Sequence, residues 1–312
     1  MTTTRNVRSP VASDNETIGY VSNLPIRKRL SYGYWVAAFL GVYAALVAIE
    51  LLVFNENWRW DIVFSYLFSE AILLGVLRTI YLTLWITALG LLIGVLTAWC
   101  RMSHFSVLRW FAIIYIWIMR AMPPLVMLLL VFFFGALVPI LGIGIPFGPN
   151  LFEISTNDVM SRFGAAVVGL AIYLGAYSAE IFRAGITSMP NGQFEAVRAL
   201  GISPIKSYRH ILGPQLTRSI TPPMANELIT TFKTTSLVSV IGYSELLTTV
   251  QSIYARNFET IPLLTVAVIW YLFLTSIAMF GQEKLEKRMG RGYARVAAKK
   301  RPTSDEFSKE KT

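Results

Sequence analysis

Long apolar runs separated by short polar stretches organise this chain. Residues 34–54 form a 21-residue apolar run with one charge, Glu50, near its end. Residues 80–100 contain no charge at all, and 110–138 are apolar apart from Arg120. Residues 163–179 are uncharged and continue with helical periodicity past Glu180. Residues 219–244 are long but carry Glu227 and Lys233, and 260–282 are uncharged throughout. A bilayer core about 30 Å thick takes roughly 20 helical residues. The pattern therefore predicts an all-α polytopic membrane protein with six transmembrane helices.

The stretches between the runs carry their own signals. Residues 1–33 are polar and read as a loosely ordered tail. That lead is long for a secretory signal, and the run after it is long for a signal core, so the first run reads as an uncleaved span, with a signal anchor as the plain alternative. Residues 55–73 mix Trp58, Trp60, Phe64, Tyr66 and Phe68 with charges, which predicts a short helix lying in the membrane interface. Residues 139–162 hold Pro139, Gly142, Gly144, Pro146, Gly148 and Pro149 and read as an outer loop. Gly90 and Gly94 form a small-residue pair suited to close helix packing.

Arg120-Ala121-Met122-Pro123-Pro124 interrupts the third run. Pro124 has no N–H to donate and disfavours helical geometry at Pro123, so a kink or unwound turn is expected. Such a break persists in a membrane only against protein or water. A gate facing a cavity and a bend near the interface with Arg120 snorkelling both fit. Pro222-Pro223 predicts a second kink, which suits a gating helix without requiring one.

Composition narrows the class. Of 312 residues 54% are hydrophobic and only 15% charged, which excludes a disordered chain. One cysteine, Cys100, permits no intrachain disulfide and no cysteine zinc cage. His104 and His210 are the only histidines, so no metal site is expected. The net charge of +10 follows the spans rather than a nucleic-acid patch. Lys and Arg number five in 1–33, two in 101–109, five in 183–218 and ten in 284–312, against four in the alternate connections: Arg59, Arg78, Arg162 and Arg256. Positive loops stay cytoplasmic, so both termini are expected inside, with the basic tail near lipid headgroups and no nucleic-acid partner.

The loop between the fourth and fifth runs is the most informative. Asn191 reads as an N-cap, with Glu195 near the first turn where a negative charge is favourable. Gly201 suits a left-handed helix end. Ser203-Pro204 restarts a helix with a cap and a proline at its first position. Two short helices meeting at a glycine are expected, with Phe194, Val197 and Leu200 making one apolar edge. A helix this short is marginal alone and reads as docked against a partner.

Glu195-Ala196-Val197, then Gly201, Ile211 and Gly213-Pro214, resembles the cytoplasmic signature of membrane subunits of bacterial ABC importers. Val197 and Gly213 depart from that pattern, where the family has Ala and Leu. Gly175-Ala176-Tyr177-Ser178-Ala179-Glu180-Ile181-Phe182-Arg183-Ala184-Gly185, Pro222-Pro223 with Asn226, and Lys233-Thr234-Thr235-Ser236-Leu237 are similar to the polar amino acid branch. Arg120-Ala121-Met122-Pro123-Pro124-Leu125 is similar to that branch's Arg-Gly-Thr-Pro-Leu-Leu. The resemblance covers roughly residues 74–287.

It implies a five-helix type I permease domain over 74–283, with spans near 79–100, 110–138, 163–183, 218–241 and 260–281 and a coupling loop at 185–214. An extra span at 34–54, an external segment at 55–73 and a basic tail at 284–312 complete the layout. The chain would be a transport subunit of the bacterial inner membrane and not an enzyme. No lysine follows a glycine anywhere, so the phosphate-cradling loop is absent. ATP and Mg are expected on a partner ATPase dimer, with no cofactor in this chain. A second permease subunit, the same chain or another, and an extracytoplasmic binding protein delivering a polar amino acid, opine or basic amino acid complete the assembly.

Implied coupling residues are Gly192, Gln193, Phe194, Glu195, Ala196, Val197, Leu200, Gly201 and Pro214. Polar groups inside spans are functional candidates: Tyr173, Tyr177 and Glu180 on one face of the fourth span, and Asn226, Thr230 and Lys233 with Glu227 and Thr234 on the fifth. Glu180 and Lys233 facing one cavity would engage the two ends of a zwitterion. Glu180 pairing with Arg183, and Lys233 closing another ion pair or contacting carbonyls, is the plainer reading of each. Candidate gate residues are Arg120, Pro123, Pro124, Pro222 and Pro223. A self-contained secondary carrier or channel is the alternative function.

Overall fold

The structure, a computed structural model, describes residues 32–144 and 150–299. The tail expected before the first span, residues 300–312, and Pro146, Gly148 and Pro149 lie outside the described residues. The chain divides into two compact units, Met1–Trp58 and Arg59–Thr312.

In the first unit, α1 (Tyr32–Ile49) runs into a π-helical stretch, Glu50–Phe54, and a 3-10 turn, Glu56–Trp58. Apolar side chains surround α1, and none of its residues is buried within the chain. A helix apolar on every face suits lipid or a buried environment. Trp58 Nε1 donates to the Leu51 carbonyl at 3.0 Å and folds the helix end back on itself.

The second unit is a bundle. It begins with α2 (Trp60–Leu67), α3 (Glu70–Arg101), α4 (Ser106–Ala121), α5 (Pro124–Phe132) and α6 (Phe134–Leu137). Strands β1 (Ile140–Gly144) and β2 (Asn150–Ser155) pair antiparallel, with Ile140 opposite Ser155. Then come α7 (Thr156–Val159), α8 (Arg162–Thr187), α9 (Asn191–Ala199), α10 (Pro204–Ser207) and a π-helical turn, Tyr208–Leu212. The bundle ends with α11 (Gly213–Thr234), a 3-10 stretch Thr235–Ile241, α12 (Leu246–Asn257) and α13 (Thr260–Lys299).

Among the described residues α1, α3, α8 and α13 are long and apolar enough to cross a membrane, and the bent pair α4–α5 makes a fifth candidate. The segment expected as the fourth span of the permease domain, 218–241, falls on α11 and the 3-10 stretch. Its threonines, charges and two prolines keep it below the same apolarity. The mostly helical prediction holds with one correction: the Gly/Pro-rich outer loop contains a β-hairpin.

Two glycines set the central packing. α3 and α8 make the most extensive helix pair. A Cβ on Gly94 would lie 2.5 Å from the Ser178 Cβ, and one on Gly90 would lie 2.7 Å from Leu174 Cδ2. Only hydrogen at these positions lets the backbones approach. Leu82, Ile86, Leu128, Leu170, Leu174 and Val238 fill one core. Val63, Ile72, Leu246, Val250, Leu263 and Val266 fill a second.

One expectation needs correction and two gain detail. The 55–73 segment does not simply lie in an interface: Val63 of α2 is wholly buried, and Trp60, Tyr66 and Leu67 pack with it on the second core. The third run does not merely kink. α4 and α5 meet at 109°, with Met122 and Pro123 extended and Pro124 opening α5. The first half of the basic tail from 284 is helical and continuous with the last apolar helix. α13 continues to Lys299, and Lys287 pairs with Glu283 one turn back.

Candidate functional site

The 109° bend and the α8–α11 contact create a polar recess. Arg120 sits in the last turn of α4, where the helix dipole favours a cation. Its guanidinium lies over the Tyr177 ring, 5.4 Å from the centroid. Tyr173 Oη donates to Tyr177 Oη at 3.1 Å, with ring centroids 4.9 Å apart. Arg183 Nε donates to Glu180 Oε1 at 3.0 Å, and a second nitrogen of the same guanidinium reaches that oxygen.

A cavity of about 590 Å³ opens here, walled by Arg120, Tyr177, Glu180, Ser219, Pro223, Asn226 and Glu227 among others. An adjoining cavity of about 500 Å³ is bounded by Arg101, Trp117, Arg120, Tyr177 and Glu180. Arg120, Tyr177 and Glu180 line both. The two freed carbonyls expected at Pro222 and Pro223, those of Arg218 and Ser219, lie on the same helix. α11 runs through the proline pair as one helix.

The candidate residues separate by position. Tyr177, Glu180, Asn226 and Glu227 share the larger cavity, and Tyr173 supports Tyr177 from the turn before. Thr230, Lys233 and Thr234 are not among its walls. The Thr230 hydroxyl donates to Asn226 O at 3.0 Å and that of Thr234 to Thr231 O at 3.0 Å. Such back-bonding satisfies a polar side chain on its own helix. Lys233 is exposed. The cation facing the Glu180 cavity is therefore Arg120, not Lys233. Pro123 sits in the bend, and Pro124 starts α5.

The loop between α8 and α11 holds two short helices. Pro190, not Asn191, occupies the cap of α9, without a side-chain bond, and Asn191 is the first helical residue. Gly201 takes φ +63, the left-handed region that favours glycine. Ser203 precedes α10, with Pro204 at its first position. The expected single apolar edge is split. Phe194 turns inward onto Met189, Leu212, Leu216, Ile220 and Met224, whereas Leu200 is 74% exposed. Val197 is half-buried, and Gly192, Glu195, Ala196 and Pro214 are exposed. Ile205 (81%) and Tyr208 (60%) extend the exposed apolar surface beyond Leu200. Gln193 Oε1 is buried with no hydrogen-bond partner among the described residues.

One polar centre escaped the sequence reading. Glu245 is wholly buried and caps α12, accepting from Thr248 N at 2.8 Å. Tyr271 Oη donates to its other oxygen at 2.7 Å, and the Thr79 hydroxyl lies 3.4 Å from the same atom. Thr79 also accepts from Leu246 N at 3.1 Å. One carboxylate thus ties α3, α12 and α13.

A bundle of apolar helices around a charged recess is the architecture expected of a membrane transport subunit. Residues 90–291 match the family described as the binding-protein-dependent transport system inner membrane component. The arginine transport system permease protein of Corynebacterium glutamicum is 41% identical over 85% of this chain and 82% of its own length. The L-cystine transport system permease protein of Bacillus subtilis is 32% identical over 76% of this chain and 93% of its own. A solved amino acid ABC transporter with histidines shares the fold at a TM-score of 0.58 and 31% identity, covering 70% of this chain and 94% of that one. The chain belongs to the binding-protein-dependent transport system inner membrane component family, as a permease subunit of an ABC importer rather than an enzyme.

Proposed function

We propose that this permease carries a polar amino acid or a close chemical relative, such as an opine or a basic amino acid, through the recess between α4, α8 and α11. The carrying observation is the charged wall of the 590 Å³ cavity: Glu227 stands without an ion pair among the described residues, beside Arg120 and the Glu180–Arg183 pair. Arg120 matches the carboxylate of an amino acid and the Glu180 wall its ammonium, which leaves Glu227 for a side-chain cation. The arginine and cystine relatives support the solute class.

The working protein has six spans with both termini cytoplasmic in the bacterial inner membrane, a topology supported by the distribution of Lys and Arg. It pairs with a second permease subunit, and an extracytoplasmic binding protein delivers the solute. The α9 segment with Gly201, together with exposed Leu200, docks on an ATPase dimer that holds ATP and Mg. Closure of that dimer moves α8 and α11, whose cytoplasmic ends flank the loop.

Affinity purification of the chain from mild detergent, with every companion identified by mass, tests the assembly. An ATPase subunit supports it, and a chain that comes down alone under conditions preserving a known ABC complex overturns it. ATP-dependent uptake of labelled arginine by the reconstituted complex tests the solute class, and transport confined to non-amino-acid solutes rejects it.

A further inference from the structure

Two arginines at one end of the bundle converge on a single turn. Arg78 lies on α3 and Arg162 opens α8. Arg78 Nη1 donates to the Ser244 carbonyl at 3.4 Å. The Arg162 guanidinium lies 3.9 Å from where a Cβ on Gly242 would stand. Gly242, at φ +70, turns the chain from the 3-10 stretch toward α12. An aromatic ladder fixes this corner: Tyr81 stacks on Phe163 with centroids 5.6 Å apart, and Phe163 meets Tyr243 at 5.8 Å.

Neither arginine forms an ion pair among the described residues, and both are exposed. The neighbouring carboxylate, Glu245, is buried and turned toward Tyr271 and Thr248. A guanidinium has five N–H donors, and Arg78 uses one on Ser244. Two cations therefore stand at one corner with most of their donors free.

Their height along the helices is informative. Arg78 is two residues from the uncharged run 80–100, and Arg162 immediately precedes the uncharged run 163–179. Arg162 is the first residue of α8, and Arg78 is the last charge of α3 before its uncharged stretch. Flanking Arg78 and running on from it, the side chains of Leu77, Tyr81, Leu84 and Trp85 are exposed at helical spacing along one face of α3. Cationic donors above a continuous apolar stripe match the two halves of a phospholipid. An acidic protein segment would match only the upper half.

We infer that Arg78 and Arg162 form a headgroup site for an anionic phospholipid, its phosphate bridging the guanidiniums and one acyl chain lying on the Leu77–Trp85 face. The site requires only that α3 and α8 cross the bilayer. It does not depend on the solute or on which leaflet this end occupies.

Native mass spectrometry of the full-length chain with its co-purifying subunits, titrated with phosphatidylglycerol or phosphatidylcholine, tests the site. The unmodified complex should retain phosphatidylglycerol more tightly. Arg78→Gln with Arg162→Gln should weaken that lipid about 30-fold, since each interfacial basic residue contributes roughly fivefold, and leave phosphatidylcholine unchanged. Arg162→Gln alone, which keeps the Arg78–Ser244 contact, should cost about fivefold and covers the case in which the double variant does not fold. Arg59→Gln is the control, because Arg59 is already paired with Glu259 at 2.5 Å. Equal phosphatidylglycerol retention by the unmodified chain and the arginine variants overturns the site. Unchanged lipid retention together with lost stimulation of ATP hydrolysis by the binding protein also overturns it, and assigns the corner to protein docking.

Discussion

Tyr271 and Glu245 meet at 2.7 Å inside the bundle, and the second oxygen of that carboxylate caps α12 through Thr248 N at 2.8 Å. The carboxylate is the shared acceptor of three elements. Removing it strands a buried phenol and a buried backbone N–H, each costing about 1–3 kcal/mol. Glu245→Ala should destabilise the purified protein by about 2–4 kcal/mol, and Glu245→Gln, which keeps one acceptor, by roughly half as much. Thermal denaturation in detergent ranks the three proteins. An alanine variant as stable as the parent would reject the role of this carboxylate as the tie between helices.

The α3–α8 contact makes a second stability prediction. Gly94 has no room for a methyl group, because its Cβ would lie 2.5 Å from that of Ser178. Gly41 on α1 has nothing within 4 Å of the same position. Gly94→Ala should therefore destabilise the fold by about 1–3 kcal/mol through overpacking. Gly41→Ala should be neutral or favourable, since alanine is the better helix former. The unfolding midpoints of the two variants should diverge in opposite directions from the parent.

Gly201 separates loop geometry from loop chemistry. Its φ of +63 is accessible to Asn but strained for Val by about 1–2 kcal/mol. Gly201→Asn should keep ATPase association and transport, and Gly201→Val should weaken both while the protein still inserts. Glu195→Lys reverses an exposed charge on α9 without touching the core. It should reduce ATPase association to a similar extent. A fully assembled, transport-competent Glu195→Lys variant would count heavily against docking through this helix.

Much of the fold was legible because lipid removes alternatives. A charge-free run of 21 residues, such as 80–100, has few structures open to it in a bilayer. The Arg120–Pro124 break was legible as a break, but its 109° angle depends on what α5 packs against: Leu128 and Val131 bury against α8. Glu245 was not legible because glutamate is a poor N-cap by type. Its worth comes from Thr79 and Tyr271, far away in sequence. The signal for α12 was present in Leu246, Val250 and Ile253, at helical spacing, but polar neighbours such as Thr248 and Gln251 masked it. Lys233 reads as a cavity residue by periodicity from Asn226, yet of that stripe only Asn226, with Glu227 beside it, reaches the cavity wall.

The two glutamates of the cavity should respond differently. Glu180 is already engaged by Arg183, so Glu180→Gln leaves that guanidinium without its partner and alters the recess for any solute. Glu227 has no ion pair to lose among the described residues. Glu227→Gln keeps its volume and removes only a charge available to the solute. A charge-assisted hydrogen bond contributes about 1.5–3 kcal/mol, so Glu227→Gln should raise the half-saturating concentration for arginine at least tenfold. Uptake of glutamine, which carries no side-chain charge, should change little. Parallel uptake assays with both solutes in reconstituted vesicles read this difference directly. If Glu227→Gln depressed arginine and glutamine uptake equally, Glu227 would be supporting the cavity rather than reading the charge of its occupant.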